Sequence, residues 1–183
     1  MTMKINKKWT EIIGLHGVGK TRYVKKNLNK LKKQYHIIDS KNHSYFVRFK
    51  YLFFFLKLFN LLDDKRFLKK ISYRLSVRPL FNANKVLFYD SGILQVLVEN
   101  LIESNFYQLE KKLNLFYKFS LPGNVIFIED NLKNIIDREI NRRKRRFKIN
   151  KKELTVRYSK ALKFIQEKLI KEIPTIVKVD IKN

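Results

Sequence analysis

The chain has 183 residues, which is about the length of one domain and enough to bury a hydrophobic core. Its 41 Lys and Arg residues against 16 Asp and Glu residues give a formal charge of +25, and its hydrophobic content of 45% excludes a disordered basic tail. The absence of cysteine excludes disulfide bonds, thiolate metal sites and a cysteine nucleophile.

Five short runs of β-branched and aromatic residues predict strands, and near-continuous apolar runs are typical of a parallel sheet that is buried on both faces. The runs are Trp9–Leu15, Gln34–Asp39, Lys85–Asp90, Asn124–Asp130 and Thr175–Ile181. The segments between them are long enough for crossover helices, so the alternation predicts an α/β fold. The predicted helices are Lys20–Lys33, Tyr45–Leu75 as two helices with a break near Asp63-Asp64, Ile93–Phe119 in one or two pieces, Leu132–Phe147 and Lys151–Ile173.

No segment predicts a membrane span or a secretion signal. The most apolar run, Tyr51–Leu62, holds Lys57 and is shorter than the roughly 20 residues that cross a bilayer. The basic start Met1–Lys8 is followed by a short apolar stretch that runs into Gly14, which does not match a signal peptide. We therefore expect a cytoplasmic protein.

Residues 14–21 read GLHGVGKT and match the phosphate-binding pattern G-x-x-x-x-G-K-[ST] between a predicted strand and a predicted helix. The glycines allow successive backbone N–H groups to point at phosphate oxygens, the Lys20 ammonium faces the β and γ phosphates, and the Thr21 hydroxyl is a ligand for Mg²⁺. The helix that follows directs its positive N-terminus at the same anions. The predicted ATP-binding residues of this loop are Gly14, His16, Gly17, Val18, Gly19, Lys20 and Thr21.

Asp90 ends the third predicted strand, where a P-loop protein holds Mg²⁺ through a carboxylate. Thr21 and Asp90 are therefore the predicted Mg²⁺ residues. The residue after Asp90 is Ser91 and not glutamate, which argues against a dedicated ATP hydrolase. No Asn-Lys-x-Asp element is present, which argues against a GTPase switch. The remaining hypothesis is phosphoryl transfer from ATP to a bound acceptor.

Five of the eleven arginines lie within nine residues: Arg138, Arg142, Arg143, Arg145 and Arg146. Helical spacing aligns four of them on one stripe, which favours a mobile lid whose guanidinium groups stabilise the transferring phosphate. Arg138 and Arg142 are the predicted catalytic arginines. The alternative is that the basic segment 138–152 binds nucleic acid or an anionic membrane.

Together these features resemble the nucleoside and nucleoside-monophosphate kinases among P-loop proteins, with thymidylate kinase the most similar member. The order is a P-loop, the fourth-strand sequence IED, a helix carrying DREINRRKRRFK and a closing strand PTIVKVDIKN. The resemblance implies a three-layer P-loop NTPase fold with a five-stranded parallel sheet flanked by helices. It implies one kinase-like domain over 1–183, with an acceptor-side helical insert at 42–84, a basic lid at 138–152 and a lid arginine at Arg138, Arg142 or Arg143.

Two departures from that family leave the acceptor open among a nucleotide, a nucleoside and a sugar. The chain has Asp90-Ser91-Gly92 where these kinases carry an Asp/Glu-Arg pair, and Asp39-Ser40-Lys41 where thymidylate kinase has REP. For a neutral hydroxyl acceptor, Asp39 is the expected general base. For a monophosphate acceptor, Arg74 or Arg78 is expected to bind the phosphate.

The sequence therefore predicts an ATP- and Mg²⁺-dependent small-molecule kinase. Two other functions stay open, namely a nucleotide-binding regulatory or degenerate kinase-like protein and a basic nucleic-acid-binding P-loop protein. A homodimer is also left open by the sequence.

Overall fold

The computed structural model describes residues 5–38, 45–59, 61–77, 85–89, 92–104, 106–116, 121–143, 150–169, 171 and 175–180. Several residues singled out from the sequence lie outside this part of the chain: Asp39, Arg78, Asp90, Arg145 and Arg146. The backbone of Arg143 is described and its side chain is not.

Five parallel strands form one sheet in the described part of the chain, which confirms the predicted architecture. They are β1 (Ile5–Ile13), β2 (His36–Ile38), β3 (Val86–Tyr89), β4 (Leu121–Glu129) and β5 (Thr175–Asp180). Their order is β2-β3-β1-β4-β5, so β1 is central. Ile12 pairs with Tyr89 of β3 and with Ile126 of β4, and therefore the carboxyl ends of the three strands meet at one edge. The loop that leaves β1 starts from the middle of that edge.

The helices follow the predicted alternation with one difference at the start. They are α1 (Lys20–Lys26), α2 (Leu28–Gln34), α3 (Tyr45–Leu58), α4 (Lys65–Val77), α5 (Ile93–Glu103), α6 (Leu109–Phe116), α7 (Leu132–Arg143) and α8 (Lys151–Phe164), which a π-helical turn continues over Ile165–Leu169. The predicted helix Lys20–Lys33 is two helices, because Asn27 leaves helical geometry and its side-chain amide donates to Tyr23 O at 2.9 Å. This local hydrogen bond competes with continuation of the helix.

The hydrophobic core covers both faces of the sheet, since adjacent strand residues such as Ile12 and Ile13 are both buried, and most side chains of α5 lie within it. Apolar side chains of β1, β3 and β4 form its centre: Ile12, Ile13, Leu87, Val125 and Phe127. Because nearly every face of α5 is covered, the polar groups that it carries need partners within the protein. These partners connect the helix to the loop after β1.

No helix in the described ranges is both long and apolar enough to cross a bilayer.

At the predicted break near Asp63-Asp64, the side chain of Asp64 joins three helices, α4, α5 and α6. Asp64 caps α4 by accepting a hydrogen bond from Phe67 N at 3.0 Å. Its other oxygen, Oδ2, lies 2.8 Å from Lys112 Nζ of α6 and 3.2 Å from Asn100 Nδ2 of α5. Burial by itself raises the pKa of Asp64, but the hydrogen bonds and charge that it receives, first from Lys112, bring the net pKa below the ordinary value. Asp64 thus begins α4 and ties α5 and α6 to the insert.

Candidate nucleotide-binding site

The loop after β1 has the backbone geometry of a phosphate cradle. Gly17 and Gly19 have φ values of 81° and 100°, which lie in the left-handed region that glycine adopts without strain. The loop is also packed tightly, since a Cβ on Gly17 would lie 3.0 Å from Ile135 O of α7. Both glycines therefore serve the turn, and Gly17 also allows the close approach of α7.

Lys20, the first residue of α1, turns its ammonium back onto the loop. It donates hydrogen bonds to Gly14 O at 3.1 Å and to Leu15 O at 3.3 Å, and the residue is only 7% exposed. Thr21 follows it on α1 and is exposed. A buried cation at a loop of this shape is complementary to an anionic phosphate chain, so the residues present fit the triphosphate of ATP.

Helix α5 supports the loop through two polar side chains that sequence reasoning missed. Gln95 Oε1 accepts a hydrogen bond from Gly14 N at 3.1 Å, and Gln95 Nε2 donates to Glu99 Oε1 at 2.8 Å. The same carboxylate oxygen lies 3.9 Å from His16 Nε2. In the sequence, the feature that indicates this role is a glutamine and a glutamate in the otherwise apolar run ILQVLVE.

His16 is held in a mixed electrostatic field. Burial lowers the pKa of its imidazole, and the nearby cations Lys20 and Arg142 lower it further. Glu99 and Glu139 act in the opposite direction, and the net pKa of His16 is below the ordinary histidine value. The imidazole is therefore mainly neutral at pH 7. Its neighbours show that α5, α7 and the lysine of the loop all converge on this residue.

Glu11, near the carboxyl end of β1, anchors the start of α5 and was not identified from the sequence. Its side chain is fully buried and accepts hydrogen bonds from Ile93 N at 3.0 Å and Leu94 N at 2.8 Å. These are N–H groups of the first turn of a helix, which have no partner within the helix. The Glu11 carboxylate of β1 thus fixes the position of α5. That helix in turn carries Gln95, which binds the loop at Gly14. In the sequence, the feature that indicates this role of Glu11 is an acidic residue inside the largely apolar run WTEIIG.

The two predicted catalytic arginines whose side chains the structure describes lie on α7, and each contacts a buried carboxylate. The Arg138 guanidinium pairs with Asp130, directly after β4, and its Nε donates to Asn134 O at 3.1 Å. Arg142 Nη2 lies 2.8 Å from Glu139 Oε1. Because α7 packs against Gly17, these pairs lie on the helix that covers the loop.

The other predicted site residues divide between the described and the undescribed parts of the chain. Asp39 and Asp90, the predicted base and Mg²⁺ carboxylate, lie outside the described residues, so of the predicted Mg²⁺ pair only Thr21 is placed. Arg74, the alternative phosphate-binding residue, lies on α4 with its guanidinium carbon 5.4 Å from the centre of the Tyr73 ring. The roles of all these residues stay predictions.

No protein-family model matches the chain, and no curated protein matches it. Solved structures match it over nearly its whole length. A deoxyadenosine kinase from M. mycoides, with products dCMP and a flexible dCDP bound, has a TM-score of 0.56 and 18% identity over 94% of this chain and 90% of the other. The same enzyme with bound dATP has a TM-score of 0.53 and 17% identity, over the same shares of the two chains. With bound dCTP it has a TM-score of 0.52 and 20% identity, over 94% and 89%. At this identity the likeness is one of fold, and the chain has the three-layer α/β P-loop fold that these kinases share.

Proposed function

We propose that the protein is an ATP-dependent kinase that transfers the γ-phosphate to a hydroxyl of a nucleoside or deoxynucleoside. The observation that carries the proposal is the buried Lys20 ammonium, bonded to Gly14 O and Leu15 O inside a P-loop of left-handed glycines. The kinase fold of the solved neighbours supports the same reaction class. The chain 1–183 would act as one kinase-like domain, with 42–84 on the acceptor side.

On the ATP side, the N–H groups of residues 14–21 and Lys20 would hold the β and γ phosphates. Mg²⁺ would be held by Thr21 and Asp90, where it would neutralise charge on the phosphate oxygens. Little covalent chemistry is left for the protein in such a transfer, so catalysis depends on placing charge accurately. The ties from Gln95 to Gly14 and from Glu11 to α5 support this, because they hold the loop in one geometry.

On the acceptor side, a hydroxyl is favoured over a phosphate. One deoxyadenosine kinase of this fold holds dCMP as a product, which is a nucleoside that has gained a phosphoryl group. In our proposal the acceptor oxygen attacks the γ-phosphorus, its proton passes to the Asp39 carboxylate and ADP departs. Arg138, Arg142 and Arg143 of the lid would stabilise the charge on the transferring group. A monophosphate acceptor, as in thymidylate kinase, would instead require Arg74 or Arg78 near the acceptor.

The test is an ATP-consumption screen against deoxynucleosides, ribonucleosides, their monophosphates and sugars, with Mg²⁺ present. We expect turnover with a deoxynucleoside or nucleoside and its loss in Lys20→Ala. Turnover with a monophosphate or a sugar alone would overturn the proposed acceptor and leave a kinase. Tight ATP binding without turnover on any acceptor would identify a regulatory or degenerate kinase-like protein.

A further inference from the structure

Glu139 has a fully buried side chain, and its backbone N and Cβ lie directly against the P-loop. A Cβ placed on Gly17 would lie 3.6 Å from both Glu139 Cβ and Glu139 N. A buried negative charge beside a phosphate-binding loop opposes the binding of a polyanion unless a cation compensates it. In a chain with 41 basic and 16 acidic residues, an acidic side chain at this position requires a physical reason.

The compensating cation is Arg142, one turn further along α7. Its Nη2 lies 2.8 Å from Glu139 Oε1, while the Arg142 side chain is 59% exposed and Glu139 is 0% exposed. A guanidinium has five N–H donors in a rigid fork, so one contact with Glu139 leaves the outward donors of Arg142 able to meet another anion. The positive charge of Arg142 also lowers the pKa of His16, so the guanidinium is within electrostatic range of the loop.

We propose that Glu139 is a positioning residue for Arg142, holding the guanidinium beside the P-loop so that its outward N–H groups meet the terminal phosphate of a nucleoside triphosphate. The inference rests on the proposed function for its ligand. Without the carboxylate, the long Arg142 side chain must lose its rotamer freedom when the phosphate binds, and this entropy cost opposes the contact. With the Glu139 carboxylate in place, the Arg142 guanidinium is already confined near the loop before the phosphate binds.

A double-mutant cycle tests the proposal, because a residue that acts only through Arg142 has no effect once Arg142 is removed. The variants are Glu139→Gln, Arg142→Ala and the pair. The matched control is Glu153→Gln, which removes the carboxylate of an exposed glutamate from its ion pair with Arg157 on α8. The first readout is the ratio of ATP to ADP affinity by calorimetry, which isolates the terminal phosphate, and the second is kcat and KM for ATP.

We expect Glu139→Gln and Arg142→Ala each to reduce the ATP preference and kcat by about tenfold, with a smaller change in KM. The pair should be no worse than Arg142→Ala alone, and Glu153→Gln should match the wild type. If Glu139→Gln lowers the melting temperature severely, Glu139→Asp takes its place in the cycle. Aspartate keeps the negative charge but holds it one methylene further from Arg142. It should give a smaller loss that also vanishes in the Arg142→Ala background.

Two results would overturn the inference. One is a loss from Glu139→Gln that is undiminished in the Arg142→Ala background, which would show a structural role. The other is tighter ATP binding by Glu139→Gln, which would show that the carboxylate only repels phosphate. Wild-type protein that prefers ATP over ADP and transfers no phosphate would refute the proposed function, while the binding cycle would still decide the inference. Wild-type protein that binds neither nucleotide would refute both.

Discussion

Gly92 and Glu11 approach each other so closely that a Cβ added to Gly92 would lie 2.2 Å from Glu11 Oε2. The carboxylate cannot move aside without losing its hydrogen bonds to Ile93 N and Leu94 N. Gly92 has a φ of −74°, so alanine would meet no backbone strain there and the steric conflict is the whole cost. The contact joins the central strand to the start of α5, most of whose side chains are buried.

Gly92→Ala should therefore lower the free energy of unfolding by about 2 kcal/mol, through the clash and the displaced hydrogen bonds. Chemical denaturation measures this loss. In a Glu11→Ala background the clash partner is absent, so adding Gly92→Ala should cost much less. Equal costs in both backgrounds would contradict the steric account.

His16→Asn should flatten the dependence of stability on pH in the acid range. Burial holds the pKa of His16 below its ordinary value of 6.5. The unfolded chain therefore binds more protons than the folded chain between the two pKa values, and stability is lost as the pH falls below 6.5. Thermal unfolding between about pH 5 and pH 7.5 should show a steeper loss for the wild type than for His16→Asn. The control is His36→Asn, at an exposed histidine on β2, which reports the effect of the same substitution away from the loop.

Asp64→Asn should destabilise the helical insert through the loss of a single charge. Asparagine also caps helices well, so the α4 cap is kept, whereas the fully buried Lys112 loses its carboxylate partner. Breaking a buried ion pair in this way costs about 3 kcal/mol. Equilibrium unfolding measures the cost, and the exposed neighbour Asp63→Asn is the matched control. A loss no larger than that of the control would refute the buried pair.

The Asp64–Lys112 pair should also make the stability of the protein depend on pH in the acid range. The folded-state pKa of Asp64 lies below its ordinary value of 3.8, so its contribution to stability is present above pH 3.8. That contribution disappears as the pH falls from there through the lower folded-state pKa. The wild type should accordingly lose stability more steeply than Asp64→Asn below about pH 4. Parallel curves for the two proteins would contradict the assignment.

The sequence predicted the elements well where local chemistry decides the structure. The apolar runs that became β3 and β5 are bounded by polar residues, and the GLHGVGKT loop carries its own turn chemistry. The Asp63-Asp64 break was visible because aspartate favours helix caps. Strands β1 and β4 begin before their predicted apolar runs, because the residues ahead of those runs still pair with each other, as Ile5 does with Leu121 and Asn6 with Pro122.

The buried polar contacts could not be predicted in the same way. Glu11, Gln95 and Glu139 are recognisable in the sequence only as polar residues within strands or helices. Whether such a residue faces water or a neighbour depends on contacts between residues far apart in the chain, as the 81-residue separation of Gly14 from Gln95 shows. The spacing of Arg138 and Arg142 on one helix was evident from the sequence, but their carboxylate partners Asp130 and Glu139 were not.

The most direct test of the account is transfer of labelled γ-phosphate from ATP to a deoxynucleoside by the wild type, Lys20→Ala and Lys26→Ala. Lys20 is the buried lysine of the loop, and Lys26 is an exposed lysine at the end of the same helix. We predict labelled deoxynucleoside monophosphate with the wild type and Lys26→Ala, and a loss on the order of a thousandfold with Lys20→Ala. Undiminished transfer by Lys20→Ala, or no labelled product from the wild type with any nucleoside, would contradict the account.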